Sequence, residues 1–139
     1  MVLLSACASS NKIPLNNITD INKKVNKTPY VKDIDNYGVD NHKATPSEFY
    51  KNGGDCEDYA IAKYEALEAS GVSTKDMKYI AAIDAFSTAH VMLQVTHNGK
   101  IYILNNESDK LQSQSYLRSK YLKIAIFTPN EMTKLWNDR

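Results

Sequence analysis

Several features that define large protein classes are scarce or missing in this chain. Only two of its 139 residues are cysteines, Cys7 and Cys56, which allows one disulfide at most. Neither charge sign is in excess, since the formal net charge is +1 and the sequence pI is ≈ 7.7, and this argues against nucleic acid as the main partner. The sequence contains no internal repeat and no apolar run long enough to span a membrane. With 42% hydrophobic residues, the composition fits one domain with a packed core.

The second cysteine stands at the predicted start of a helix. Gly53 and Gly54 interrupt the preceding chain and allow close backbone approach, and Asp55 is a good N-cap. The helix is therefore predicted over 56–69, and it ends at Ser70-Gly71.

The predicted helix has an apolar face that must pack against other elements. Four residues at helical spacing form this face: Ala60, Ile61, Tyr64 and Leu67. The charged residues Lys63, Glu65 and Glu68 fall on other faces. We therefore expect the helix to be packed, so that its first residue, Cys56, has a fixed position.

A cysteine in that position has the surroundings of a nucleophile. The positive end of the helix dipole favours thiolate over thiol, and free backbone N–H groups can stabilise an oxyanion. The alternative is a small buried cysteine beside a cap, and these residues alone leave both interpretations open. A disulfide with Cys7 is not expected, because it would remove the nucleophile.

Three acidic residues flank the cysteine: Asp55, Glu57 and Asp58. Their charges raise the pKa of a neighbouring thiol, so we expect a cation that neutralises them. Carboxylates clustered on a turn favour Ca²⁺, which binds oxygen ligands. Acidic residues can also simply complement the helix dipole, but three of them exceed what capping needs.

The candidates for a general base are His42, His90 and His97. A strand is predicted over 89–96, and His90 opens it. His97 precedes an Asn-Gly pair, the strongest signal for a two-residue hairpin turn, and is expected to be a solvated residue beside that turn. His90 is therefore the candidate base.

The hairpin supplies a third candidate residue. Its predicted register pairs Leu93 with Leu104, so the chain after the second strand runs towards His90. Asn105 or Asn106 can then orient the imidazole, as a third residue does for a Cys–His pair. The alternative is a polar histidine at a strand edge and a plain Asn-Asn turn.

The other predicted elements complete an α+β domain. Capping boxes with proline at the first helical position predict helices that start near Pro46 and Pro129. The remaining predictions are a helix at 19–25, strands at 77–83 and 122–127, and a polar loop with a short helical piece at 106–120. The pattern indicates an antiparallel sheet with helices on one side.

Four parts of the chain match a known enzyme family: residues 45–49 (TPSEF), residues 54–64 (GDCEDYAIAKY), His90 with its apolar strand, and residues 104–106 (LNN). On these residues the chain resembles the bacterial transglutaminase-like cysteine peptidases of the LapG type, over residues 18–128. The resemblance implies a papain/transglutaminase-like α+β fold, with the nucleophile at the N-terminal end of a helix that packs against an antiparallel sheet. It also implies a Cys-His-Asp triad and a Ca²⁺ site beside the nucleophile.

The resemblance assigns catalytic roles residue by residue. Cys56 corresponds to the nucleophile and His90 to the base. The family's aspartate falls on Asn105, which can orient the ring but stabilises imidazolium less than a carboxylate does. Activity is then expected to be lower, or to draw on a nearby acid.

The calcium ligands that the resemblance implies include the acidic residues beside the nucleophile, which are Asp55, Glu57 and Asp58. Further ligands come from an upstream acidic loop, which corresponds to residues 32–36. We predict Asp35 as the ligand from this loop.

The resemblance further implies a periplasmic endopeptidase that controls biofilm attachment. Its substrate would be the N-terminal region of a large surface adhesin, cut at a di-alanine site, and an inner-membrane receptor that senses cyclic di-GMP would sequester it. Residues 4–7 (LSAC) resemble a lipobox, which makes Cys7 a candidate for a lipid anchor. We expect residues 1–17 to be a truncated lipoprotein-type signal and tether, and residues 18–139 to be a single cysteine peptidase domain.

Two other functions stay open at this point. A transglutaminase or amidase uses the same triad with a different acyl acceptor, and sequence does not separate water from an amine as the second nucleophile. A non-catalytic lipoprotein that binds Ca²⁺ or a partner strand is favoured if Asn105 does not reach His90.

Overall fold

A four-stranded antiparallel sheet lies at the centre of the fold. The structure, a computed structural model, describes residues 13–40 and 42–138. The strands are β1 (Met77–Ile83), β2 (Ala89–His97), β3 (Lys100–Leu104) and β4 (Lys123–Phe127), in the order β3-β2-β1-β4 across the sheet. The predicted strands are confirmed, and so is the hairpin register, with Leu93 opposite Leu104.

The described residues contain six α-helices: α1 (Leu15–Asn26), α2 (Asp33–Tyr37), α3 (Pro46–Asn52), α4 (Cys56–Ala69), α5 (Gln114–Lys120) and α6 (Pro129–Asn137). A short 3-10 helix, Thr74–Asp76, precedes β1. Capping boxes at Thr45, Asp55 and Thr128 begin α3, α4 and α6. In each box two main-chain N–H groups at the helix start donate hydrogen bonds to side-chain oxygens. The residues involved are close in sequence, which explains why these helix starts are predictable from local sequence.

The main core lies between one face of the sheet and the helices α1, α4 and α6. Helix α4 packs along β2, and its predicted apolar face is buried or half-buried in this core. Leu67 of α4 and Leu93 of β2 have no exposed surface, and Met132 joins them from α6. Burial of a large apolar side chain stabilises the folded state by about 1.5–3 kcal/mol, so the position of α4 on the sheet is well determined.

A second core lies on the opposite face of the sheet, where α5 packs. Ile80, Met92 and Ile103 point to this face, and Leu117 and Tyr121 from α5 and its C-terminal end cover them. The expectation that the helices lie on one side is therefore wrong for α5. The physical reason is that β1 and β2 are apolar at successive positions, not alternate ones, so both of their faces must be buried.

Two residues expected at the surface are buried instead. His97 is 7% exposed, and its Nε2 donates a hydrogen bond to the carbonyl of Ile13, 2.9 Å away, because the chain that enters α1 covers this end of the hairpin. Lys63 of α4 is 1% exposed, and its ammonium lies 5.9 Å from the centre of the Tyr59 ring. The contact of α1 with α4 adds a second buried face to α4, which one apolar stripe does not reveal.

Helix α1 crosses the predicted domain boundary. Helix α1 starts at Leu15, and both Leu15 and Ile13 pack against the main core, so the boundary predicted between residues 17 and 18 falls inside α1. The proposed lipobox and Cys7 lie outside the described residues. None of the helices in the described ranges is long and apolar enough to cross a lipid bilayer.

Candidate active site

The two glycines before α4 let another segment approach the start of that helix. The main-chain N–H of Val31 donates to the carbonyl of Gly54, 2.9 Å away, and Tyr30 forms an isolated parallel bridge with Gly54. A Cβ atom at Gly54 would lie 2.6 Å from Oδ2 of Asp58, and Gly53 has a φ of +79°, which favours glycine. The close approach expected from the Gly-Gly pair is present, and it places Tyr30 beside the first turn of α4.

Cys56 and His90 line the same cavity, whose volume is about 360 Å³. Cys56 is the first residue of α4, and His90 is the second residue of β2, on which α4 packs. The cavity is completed by Tyr30, Thr88, Ala89, Asn106 and Glu107. The thiol and the imidazole therefore line one recess, at positions set by the helix–sheet contact.

Asn105 follows β3 and is fully buried, so its side-chain amide needs partners. Its Oδ1 accepts hydrogen bonds from the main-chain N–H of Glu107, at 3.0 Å, and from Nε2 of His90, at 2.8 Å. A main-chain N–H can only donate, so the shared acceptor is an oxygen and Nε2 of His90 carries a proton. In the neutral ring the lone pair then lies on Nδ1. The condition that favoured a non-catalytic lipoprotein is not met, because Asn105 reaches His90.

The surroundings of Cys56 both oppose and support ionisation of its thiol. Burial raises the pKa of the thiol to about 11, with further contributions in the same direction from the charges of Asp55 and Glu57. Main-chain hydrogen bonds from Val91 and Glu57 act in the opposite direction. The acidic neighbours thus have the effect on the thiol that their sequence positions suggest.

Three carboxylates converge beside the first turn of α4. Oxygen atoms of Asp33, Asp55 and Asp58 lie within 4.8 Å of one another. Burial and the nearby charge of Asp55 raise the pKa of Asp33 to about 6 and that of Asp58 to about 7. Oδ1 of Asp33 is buried and has no hydrogen-bond partner in the part of the chain that the structure describes. Such a group suits a divalent cation with oxygen ligands.

The structure does not bring Asp35 into this group. Asp33 and Asp35 both lie on α2, two positions apart, so they face different sides of the helix; Asp33 is buried and Asp35 is exposed. The upstream loop contributes Asp33 in place of the predicted Asp35. Glu57 flanks the cysteine as expected, but it is not part of the three-carboxylate group.

Two further polar residues near His90, Glu107 and Lys120, were not predicted individually. Glu107 accepts a hydrogen bond from Nζ of Lys120 at 2.9 Å, which holds the pKa of Glu107 below its usual range. The charge of His90 contributes to the same lowering of the pKa, so an acid lies near His90. One feature of the sequence indicated polar residues at this place, because the polar stretch 106–120 follows Asn105 directly.

The family profile decides the identity of the chain. The profile described as bacterial transglutaminase-like cysteine proteinase matches residues 5–138. The chain belongs to this family. As a family member, it is a transglutaminase-like cysteine protease, and the fold and resemblance inferred from its motifs are confirmed.

Solved structures of LapG from Legionella pneumophila resemble this family member along most of its length. One LapG structure has a TM-score of 0.70 and 26% sequence identity, and covers 92% of this chain and 78% of the LapG chain. The calcium-bound LapG has a TM-score of 0.67 and 26% identity, with 86% and 72% covered. The EGTA-treated form has a TM-score of 0.67 and 26% identity, with 88% and 72% covered. No curated protein sequence is significantly similar to this chain.

Proposed function

We propose that this cysteine protease is a calcium-dependent endopeptidase of the periplasm, with Cys56 as nucleophile, His90 as general base and Asn105 as the residue that orients the base. The observation that carries the proposal is the 2.8 Å hydrogen bond from Nε2 of His90 to Oδ1 of Asn105, together with the cavity that His90 and Cys56 both line. The bond leaves Nδ1 of His90 as the basic nitrogen, and Cys56 begins a helix.

Catalysis in this arrangement begins with attack of the Cys56 sulfur on a peptide carbonyl carbon, while Nδ1 of His90 takes the thiol proton. The Cys56 N–H, at the first position of α4, has no acceptor within the helix and donates to the developing oxyanion. The C–N bond then breaks, and His90 gives its proton to the departing amine. Water hydrolyses the thioester with His90 again as the base, which restores the thiol.

The calcium site of the proposal consists of Asp33, Asp55 and Asp58, with Glu57 as a further ligand from the same turn. The three converging carboxylates and the unpartnered Oδ1 of Asp33 support the assignment of the three aspartates. Bound Ca²⁺ would supply positive charge beside the thiol, where the carboxylates otherwise oppose ionisation. The similarity to LapG, which has been solved as a calcium-bound form, supports the same cation.

The proposed substrate is the N-terminal region of a large surface adhesin, cut at a di-alanine site, so that cleavage controls biofilm attachment. An inner-membrane receptor that senses cyclic di-GMP is the proposed regulator, and Cys7 is the proposed site of a lipid anchor in the periplasm. Membership of the family supports a protein substrate. The adhesin and the receptor follow from the resemblance to the LapG type, and the anchor follows from the lipobox-like residues 4–7.

A cleavage assay tests the proposal. A purified adhesin fragment with a di-alanine site is incubated with the protein in calcium and in EGTA, and Cys56→Ala is compared with Cys7→Ser, which changes the other cysteine. We expect cleavage by the unchanged protein and by Cys7→Ser in calcium only, and none by Cys56→Ala. A fragment left intact in every lane would rule out this substrate, and cleavage by Cys56→Ala would rule out the triad.

The same assay separates hydrolysis from acyl transfer. A fluorescent primary amine is added, and its incorporation into the fragment is measured. We expect new N-termini and no amine on the fragment, whereas incorporated amine would indicate a transglutaminase.

A further inference from the structure

The amide of Asn105 has a defined orientation, and its second polar atom faces another side chain. Because the main-chain N–H of Glu107 donates to Oδ1, the remaining atom is Nδ2. Nδ2 donates to Oε1 of Gln112 at 3.0 Å. Asn105 is fully buried, so each of these contacts replaces a hydrogen bond to water that the side chain cannot make.

Gln112 is held in place through its own main chain. The N–H of Ile103 donates to the carbonyl of Gln112 at 2.8 Å, and the N–H of Gln112 donates to the carbonyl of Ile103 at 3.0 Å. This bridge attaches Gln112 to β3, two residues before Asn105. The side chain therefore approaches the Asn105 amide from a fixed point.

We propose that Gln112 is a positioning residue, whose side chain fixes the orientation of the Asn105 amide and so keeps Oδ1 directed at Nε2 of His90. The proposal rests on the proposed role of His90 as the base. Gln112 does not line the cavity of Cys56, and it acts on His90 only through Asn105.

Glutamine at position 112 suits either an amide or an acid at position 105. Towards Asn105 it presents Oε1 as an acceptor, as in this structure. Towards an aspartate at position 105 it can rotate its amide and present Nε2 as a donor. An ionised glutamate at position 112 can only accept, so it is compatible with Asn105 but repels an aspartate at position 105.

A double-mutant cycle tests this relationship. The variants are Asn105→Asp, Gln112→Glu and the double variant, with Gln114→Glu as a control that makes the same change two residues further on. The first readout is the tautomer of His90, from ¹⁵N NMR of histidine-labelled protein. The second is the rate at which iodoacetamide alkylates Cys56 at pH 7 in calcium, measured by mass spectrometry.

We expect the proton on Nε2 of His90 in the unchanged protein, in both single variants and in the control. In the double variant this signal should be lost. The rate of Cys56 alkylation should also be about tenfold or more below the rate expected if the effects of the two single substitutions multiplied. Effects that simply multiply, with the tautomer unchanged, would overturn the proposal. If the double variant does not fold, Gln112→Leu replaces it, and an unchanged His90 tautomer in that variant would overturn the proposal equally.

A separate variant distinguishes this outcome from failure of the proposed function. His90→Ala should slow alkylation of Cys56 if the two residues form a catalytic pair. If His90→Ala has no effect, the proposed function fails; if it slows alkylation while the double-mutant cycle shows no coupling, only the role of Gln112 fails.

Discussion

Nε2 of His90 lies 2.8 Å from Oδ1 of Asn105, across the hairpin that joins β2 to β3. Both side chains are buried, at 8% and 0% exposure, so neither can exchange this bond for one to bulk water. The pair therefore determines which ring nitrogen carries the proton in the neutral imidazole, and in the proposed mechanism an amide suffices for this because Oδ1 only has to accept.

Replacing Asn105 with alanine should remove the orientation of the base. We expect kcat for cleavage to fall by about 10²-fold with KM little changed, because the bond acts on His90 and does not contact the substrate. Steady-state kinetics on the adhesin fragment measures the split. Asn130→Ala, at an exposed position of α6, is the matched control and should keep both parameters. A change confined to KM would contradict the assigned role.

Asp33 should contribute to calcium binding, and Asp35 should not. We expect Asp33→Asn to weaken calcium affinity by about tenfold or more, and Asp35→Asn to change it by less than about twofold, because only Asp33 faces the other two carboxylates. Isothermal titration calorimetry measures both.

In EGTA, Asp33→Asn should have a higher melting temperature than the unchanged protein, since it removes one of three mutually repelling charges. Equal calcium affinities in the two variants would show that the site lies elsewhere.

Lys63 should make stability increase with pH in the alkaline range. Burial lowers the pKa of Lys63 from 10.5 to about 7, so between these values the unfolded chain binds a proton that the folded chain does not. The free energy of unfolding then rises with pH over that window, and below about pH 7 the folded protein must bury a charged ammonium.

Lys63→Met should relieve this cost. We expect it to stabilise the protein by about 1–3 kcal/mol at pH 6, with a difference that shrinks towards pH 10. Urea unfolding at several pH values measures the effect, and Lys51→Met, at an exposed position of α3, should show no such trend. A difference that is independent of pH would exclude titration of Lys63 as the cause.

Gly54 should not tolerate a side chain. A Cβ atom there would lie 2.6 Å from Oδ2 and 2.7 Å from Cβ of Asp58, so Gly54→Ala should destabilise the protein by about 1–3 kcal/mol and weaken calcium binding. Gly38→Ala is the control: its φ of +71° gives it a strain of about 1 kcal/mol, but nothing lies within 4 Å of the added atom. Thermal unfolding with and without calcium distinguishes them, since only Gly54→Ala should reduce the calcium-induced shift.

Much of the fold is predictable from the sequence because its signals are local. The capping boxes at Thr45 and Thr128 and the apolar face of α4 each depend on residues within one or two turns of helix. The hairpin turn also sets the register of β2 and β3 without reference to the rest of the chain. The same local motifs identify the family.

The mistaken details all depend on contacts between distant segments. His97 is buried because the chain near Ile13 crosses the end of the hairpin, 84 residues away in sequence. Lys63 is buried on α4, with its ammonium near the Tyr59 ring, and α5 occupies the sheet face that is expected to be free. No periodicity within one element reports such coverage.

The sequence by itself determined that a cysteine begins a packed helix, that a histidine opens a strand after it, and that an asparagine follows the paired strand. These are properties of short stretches, governed by capping, turns and alternation. Only the tertiary structure decided that Asp33 and not Asp35 joins Asp55 and Asp58, and that Gln112 meets the amide of Asn105. The physical reason is that such contacts depend on how separate segments pack in three dimensions, and a side chain two positions along a helix faces a different direction.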